Sequence, residues 1–492
     1  MSKSSRRIAP LLVVGIVSSC FRPAPPLEEG DERDSGLTTE TSTESGSTTQ
    51  GHPLLKKRQA QKNAATPSST TTSATSTLPS GTSQGGTLVV QATPAVAISS
   101  VSSSTTPTPV PTQATASVWE QEAYIKAANG KSYRNFGKVI SLNADTLVVG
   151  SRYDASSVRT ITNGSGASSD ESALESGAAF VYRRVGSNWS QEAYIKAANG
   201  DANDSFGNAV SISGDTIAIG AMHESSAESV ITNGSSASSS NGASDSGAVY
   251  VYRRSGSNWS QEAFIKPSNS DADDWFGQSV ALSGETLVVG SPSEDSSQNN
   301  VSNGQPASTN NSSTNSGAAY VFRRNGSKWT EEAYLKATNA AANDEFGRSV
   351  SISGETIVVG TPVRAGTGAA YIFGRSGNSW SQEAYVTAVN ANNGDAFANA
   401  LAVSGDTLVV GAYLEDAAQN TITNGTTASN NNTYYDSGAA YVYRRSGNAW
   451  TQEAYIKAVN PDWYDSFGFS VAISGNALAV GAPYEESSLN HR

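Results

Sequence analysis

The side chains best able to do chemistry in this 492-residue sequence come in multiples. An acidic cluster precedes each of several Phe residues: Asp201-Ala202-Asn203-Asp204, Asp271-Ala272-Asp273-Asp274, Asn343-Asp344, Asp395, and Asp462 with Asp465. Side chains of this kind cap local N–H groups at the entry to a strand, and that is the role assigned to them here. Arginine pairs recur at Arg183-Arg184, Arg253-Arg254, Arg323-Arg324 and Arg444-Arg445. They could form an anion-binding rim, but pairing with the Glu of the recurrent Gln-Glu-Ala, such as Glu192 and Glu262, is the preferred reading. The recurrent Trp reads as a packing anchor at the edge of a sheet rather than a sugar platform. Paired carboxylates can do general acid and base work. An active site needs asymmetry, however, and every reactive group here is repeated, so no catalytic residue is assigned and the chain is read as a non-enzyme.

Composition narrows the classes further. One Cys (Cys20) and three His (His52, His223, His491) leave no disulfide framework, zinc ligand set or Cys/His dyad. The formal net charge is −12, which disfavours nucleic acid as a partner. Of 39 aromatic residues only Phe21 precedes Trp119, so the core must lie in 119–492.

The N-terminus has a basic start (Lys3, Arg6, Arg7) and an apolar run from Ile8 to Val17, about half of the ~20 residues a membrane-spanning helix needs. It reads as a signal peptide over residues 1–19. Val17-Ser18-Ser19-Cys20 then resembles the lipobox of bacterial lipoproteins, which implies that Cys20 is lipidated. Its departures are Val in place of Leu three residues before the Cys, and Pro10 in the apolar run. Residues 20–118 are rich in Ser, Thr, Pro and Gln and cannot bury enough apolar surface to offset their ordering entropy, so they read as a disordered tether. Within it, GGTLVVQATPAVAIS (85–99) is the one apolar stretch.

From Trp119 the sequence is a repeat. Trp119, Trp189, Trp259, Trp329, Trp380 and Trp450 and, in the same register, Phe136, Phe206, Phe276, Phe346, Phe397 and Phe467 mark six units. Successive units are spaced by 70, 70, 70, 51 and 70 residues. Each unit carries four strand patterns, in the second unit FGNAVSIS, TIAIGA, GAVYVYRR and WSQEAFIK. The third has apolar residues on both faces, so it must be covered on both sides. A small sheet buried between its own copies is a propeller blade. The fold class is therefore all-β, a β-propeller of four-stranded antiparallel blades, with six repeats and an incomplete last blade.

The Phe-Gly pairs at Phe136, Phe206, Phe276, Phe346 and Phe467, the Gly-Ala-Pro at 481–483 and its variants resemble the FG-GAP, or integrin-alpha-like, repeat of the secreted bacterial type. Phe397-Ala398 departs from the pair. The resemblance covers 119–492 and implies a ring commonly of seven blades, so the chain reads as truncated at its C-terminus. The extra fourth strand at 119–127 is the natural clasp for the last blade. Integrin-type blades hold calcium in a D-x-D-x-D-G loop between strands one and two; here, from the second unit on, that loop is only Ser-Gly-Asp, Ser-Gly-Glu or Ser-Gly-Asn. No cofactor is therefore expected, calcium at Asp201, Asp204, Asp271, Asp273 and Asp274 being the alternative to their capping role. The reading is a monomeric protein, lipid-anchored to a bacterial outer membrane or cell surface, whose propeller binds a protein or glycan. A phospholipase- or glycosidase-like hydrolase and a non-binding truncated scaffold are the alternatives.

Overall fold

The computed structural model describes residues 12–16, 121–304 and 306–486. Cys20 and the segment read as a tether lie outside these, as do Trp119 and the last six residues. The repeat region forms six sheets in chain order, five of them complete blades. In the second blade the strands are Ala209–Ser213, Thr216–Ala221, Ala248–Ser255 and Asn258–Ile265, all antiparallel to their neighbours. These are the four segments legible in the sequence. Blades one, three, four and five repeat the order, beginning at Ile140, Ser279, Ser349 and Phe397.

The two-sided third strand explains why the sheets stack. Ala248, Tyr250 and Tyr252 share a cluster with Val181 and Ile195 of the first blade, whereas Val249 and Val251 pack with Leu287 and Val289 of the third. Each interface is thus a core made half by one repeat and half by the next. In the five complete blades the motif Phe locks its own blade: Phe206 meets the Tyr250 ring edge-on at 5.2 Å, and Tyr250 leans on Phe264 at 5.1 Å. Such aromatic pairs contribute about 0.5–1.5 kcal/mol beyond their area burial. At the inner strands, serine hydroxyls of one blade accept from backbone N–H groups of the next, as in Ile212 N to Ser141 Oγ and Leu282 N to Ser211 Oγ. That is why Ser alternates with apolar residues there.

The glycines of the motif are steric. Gly220, at the end of the second strand, lies so close to the Gly277 carbonyl of the next blade that any Cβ would overlap it, and Gly150, Gly290 and Gly411 repeat this against the next Phe-Gly unit. Gly207 has φ +86°, and Ala398, which breaks the doublet, keeps that conformation at φ 70°.

Two features differ from expectation. Residues 121–127 form no strand; they lie against the first blade, where Tyr182 Oη donates to Lys126 O and Arg184 contacts Glu122. The clasp expected at the last blade is therefore not formed by them. The sixth sheet comprises Ser470–Ser474, Ala477–Gly481 and, parallel to the latter, Leu12–Ile16 from the apolar run read as part of the leader.

Gly220→Ala should cost about 3 kcal/mol, because the overlap is with backbone that cannot move aside. Gly214→Ala, at a turn with φ +58° and open space around it, should cost only about 1 kcal/mol for its positive φ. Denaturant unfolding of the two variants checks the contrast.

Candidate functional site

The blades are held at one end by a buried charged cluster. In the second blade Lys266 projects from the end of the fourth strand and donates to Glu224 Oε2 (3.2 Å), Ser246 Oγ (2.7 Å) and Gly247 O (2.6 Å). Both charged side chains are about 98–100% enclosed. The other oxygen of Glu224 accepts from Asn199 of the preceding connection, and Asn199 Oδ1 accepts from Tyr250 Oη. Ser246 and Gly247 are in turn the docking point for the next blade, since Phe276 N donates to Ser246 O and Phe276 forms a bridge with Gly247. The cluster recurs as Lys196 with Asp154, Lys336 with Glu294 and Lys457 with Glu415. Burial pushes Lys196 down to about 8 and lowers Lys266, Lys336 and Lys457 as well.

The fourth blade replaces both charges. Arg364 stands at the carboxylate position and Thr387 at the lysine position, and Arg364 pairs with Asp344 of the preceding connection. The loop between strands two and three here shrinks to a single 3₁₀ turn, Arg364–Gly366. With no long loop to clamp, the clamp is absent.

The acidic loops are turn-builders. Asp204 and Asp274 are buried, and each accepts from the backbone N–H three residues earlier, Asp201 N and Asp271 N, at 2.8 and 2.9 Å. Burial, reinforced by Glu224 and Glu294, pushes Asp204 up to about 7 and Asp274 to about 8; Asp395 rises to about 7 and Asp465 to about 6, chiefly by burial. Asp201 pairs with Arg159 and receives Asn241, Asp271 receives Asn311, and Asp273 holds φ 65° in the turn. Asp201, Asp204, Asp271 and Asp274 are thus engaged by turn N–H groups, Arg159 or asparagine side chains. Among the described residues no three His, Cys, Asp or Glu converge in a way that could hold a metal.

The arginine pairs sit at the opposite end. Arg254 bonds Asp215 of the tight hairpin and contacts Glu192 of the preceding blade at 3.5 Å, and Glu192 also accepts from Trp259 Nε1 at 3.1 Å. Arg324, Glu262 and Trp329 repeat the arrangement, as do Arg375, Glu332 and Trp380. Trp259, Trp329 and Trp380 are buried. Arginine, tryptophan and glutamate therefore form an inter-blade staple.

The two ends are unequal. One has only short hairpins; the other carries the long loops between strands two and three, which bond the connection into the next blade, as in Asn203 N to Leu174 O and Asp273 N to Ser244 O. On that loop-bearing face the repeat is broken by aromatics. Trp463 stands where other units have Ser, Ala or Asn, and Tyr435 where the other long loops have Ser, Thr or Leu. The two rings meet edge to face at 5.5 Å, remain 43% and 46% exposed, and are tied together by Tyr464 N donating to Tyr435 O. Asp436 and Asp462 flank them in sequence. Reading the repeated residues missed this pair; the signal was the aromatic residues standing outside the repeat pattern. Cys20, the one lipidation candidate, lies outside the described residues.

The FG-GAP repeat family matches at residues 119–182, 189–252, 259–322, 329–373, 380–443 and 450–491. No curated protein sequence matches the chain. Among solved structures, a Bacteroides uniformis protein named as a candidate 6-phosphogluconolactonase is 11% identical, covering 66% of this chain and 71% of its own, with a TM-score of 0.35. A lectin of Aleuria aurantia in complex with Fucα1-6GlcNAc is 13% identical, covering 68% of this chain and 84% of its own, with a TM-score of 0.34.

Proposed function

The chain belongs to the FG-GAP repeat family, and on that premise we propose that it is a binding module whose loop-bearing face takes a protein or glycan ligand, presented at a bacterial cell surface by a lipid on Cys20. The observation that carries the binding role is the exposed Tyr435 and Trp463 pair. Such half-exposed rings present an apolar face with polar neighbours, the combination that stacks on a sugar ring or anchors a protein contact. Asp462, which accepts from Trp463 N through Oδ1, supplies a further acceptor for hydroxyl or ammonium donors beside it. The rigid, clamped ends of the blades hold these loops in place, which limits the entropy lost on binding. Lipidation at Cys20 goes with cleavage that removes residues 1–19, and with them Leu12–Ile16 of the sixth sheet; a propeller raised on a tether of about a hundred residues would then stand clear of the membrane, and each CH₂ of the acyl chains on Cys20 would contribute about 0.8 kcal/mol of membrane affinity.

Two measurements check this. Trp463→Ala in the full chain should leave the circular dichroism spectrum unchanged and weaken binding to glycan-array or surface-protein ligands about tenfold or more, the loss usual for an anchoring aromatic. Ligand binding unaffected by that change removes the assigned site. Cys20→Ala expressed in a bacterial host should move the protein from the membrane to the soluble fraction, whereas unchanged fractionation refutes the lipid anchor.

A further inference from the structure

The fourth blade leaves open an edge that its siblings fill. In blades one, two, three and five the long loop returns as a short fifth strand, Thr162–Asn163, Ile231–Asn233, Ser302–Asn303 and Thr423–Asn424, antiparallel to the outer edge of the fourth strand. The four segments share a sequence, Ile or Val, then Thr or Ser, then Asn-Gly. In each, the Gly N–H donates to the carbonyl of the Gln-Glu-Ala glutamate, as Gly234 N does to Glu262 O at 2.6 Å. By the two-residue period of a strand, the N–H and C=O of Phe264 face the same added strand. The Asn side chain then reaches the next blade: Asn233 Oδ1 accepts from Trp329 N at 2.7 Å and its Nδ2 donates to Trp329 O at 3.3 Å, and Asn163 and Asn303 treat Trp259 and Trp380 alike.

The loop after Thr361 in the fourth blade is too short to make this return, and the sheet stops at Ser379–Val386 with four strands. Tyr385 is 44% exposed, whereas its counterparts Tyr194, Phe264, Tyr334 and Tyr455 are fully buried. Among the described residues no asparagine reaches Trp450, the tryptophan of the following blade. The buried indole N–H of Trp450 has no acceptor, whereas Trp259, Trp329 and Trp380 donate to the glutamate of the preceding blade. Its counterpart glutamate, Glu383, lies over Gly374, which replaces the first arginine of the pair, and reaches the fifth blade only through Arg445 at 3.9 Å.

We propose that the outer edge of Ser379–Val386 is a strand-addition site that takes an extended peptide of the type Ile/Val-Thr/Ser-Asn-Gly from a partner protein. The four occupied edges define the chemistry of the occupant. Glu383 C=O and the main chain of Tyr385 supply the ladder, the partner's Thr or Ser lies opposite Tyr385, and its Asn brackets the Trp450 main chain. Main-chain pairing of this kind gives affinity, and the side chains at fixed positions give specificity. The site is separate from the loop-bearing face and does not depend on the ligand assigned there.

The test uses the full chain and a fluorescein-labelled peptide SVITNGSS, the sequence of residues 229–236. Saturable binding by fluorescence anisotropy is expected, with slowed amide hydrogen exchange confined to the segment containing Tyr385. Replacing the peptide Asn by Ala should weaken binding about fivefold to tenfold, the loss expected for its side-chain hydrogen bonds. Grafting the second-blade loop Met222–Ser246 in place of Pro362–Thr367 should fill the edge from within and abolish binding; the peptide variant keeps the test decisive should the graft not fold. Absence of saturable binding, protection at another segment, or equal binding of the Ala peptide overturns the proposal. So does protection of Tyr385 that rises with protein concentration alone, since the occupant would then be a second copy of this chain.

Discussion

Each long loop of this molecule is held by a buried lysine. Lys266 neutralises Glu224, fixes Ser246 and Gly247, and so positions the backbone on which Phe276 of the next blade docks. Burying such a pair is costly: removing two charges from water carries a penalty of several kcal/mol per ion, recovered only when geometry and hydrogen bonds are complete. Here they are, with every donor of the ammonium group engaged. The return on that cost is geometric as much as energetic. A loop of some twenty-five residues, rich in Ser, Asn and Gly, is pinned at both ends, at Glu224 where it leaves the second strand and at Ser246 where it enters the third.

From this constraint the division of labour follows. Apolar burial between sheets supplies cohesion, and the glycines at 220 and 277 let the sheets close to backbone contact. The opposite end is stapled by arginine, glutamate and tryptophan, and its hairpins stay short in every blade. The largest variation falls in the clamped loops, where a change of sequence does not disturb the blades. Tyr435 departs from the repeat at the end of one such loop, and Trp463 in the connection bonded to it.

Much of this was legible in the sequence. Four strands per unit, their register, the two-sided third strand and the buried tryptophans follow from spacing and alternation alone, because each blade must bury itself against its copies. The role of the lysine was not, although the signal was present. Lys196, Lys266, Lys336 and Lys457 close otherwise apolar strands, and only the unit with the short loop has Thr387 there and Arg364 in place of the acid. Joint loss of both charges with the loop marks them as partners, but a single strand pattern gives no sign of which distant residue meets it. The pairing of Leu12–Ile16 with Ala477–Gly481 was equally hidden, since an apolar run suits a leader and a sheet edge alike. The fifth strands escaped notice because two or three residues of Thr-Asn-Gly have no periodicity to read.

The central claim is that the lysine and carboxylate act as one unit to order the loop. It is tested most directly by a double-mutant cycle on Lys266→Met and Glu224→Gln in the full chain, read by denaturant unfolding and by proteolysis of the loop at 222–246. Each single change should cost about 3–5 kcal/mol by leaving its partner buried and unpaired, and should expose the loop to cleavage. The double variant should cost less than the sum of the singles, by about 1–3 kcal/mol. Additive effects, or single variants that retain both stability and a protease-resistant loop, would contradict the account.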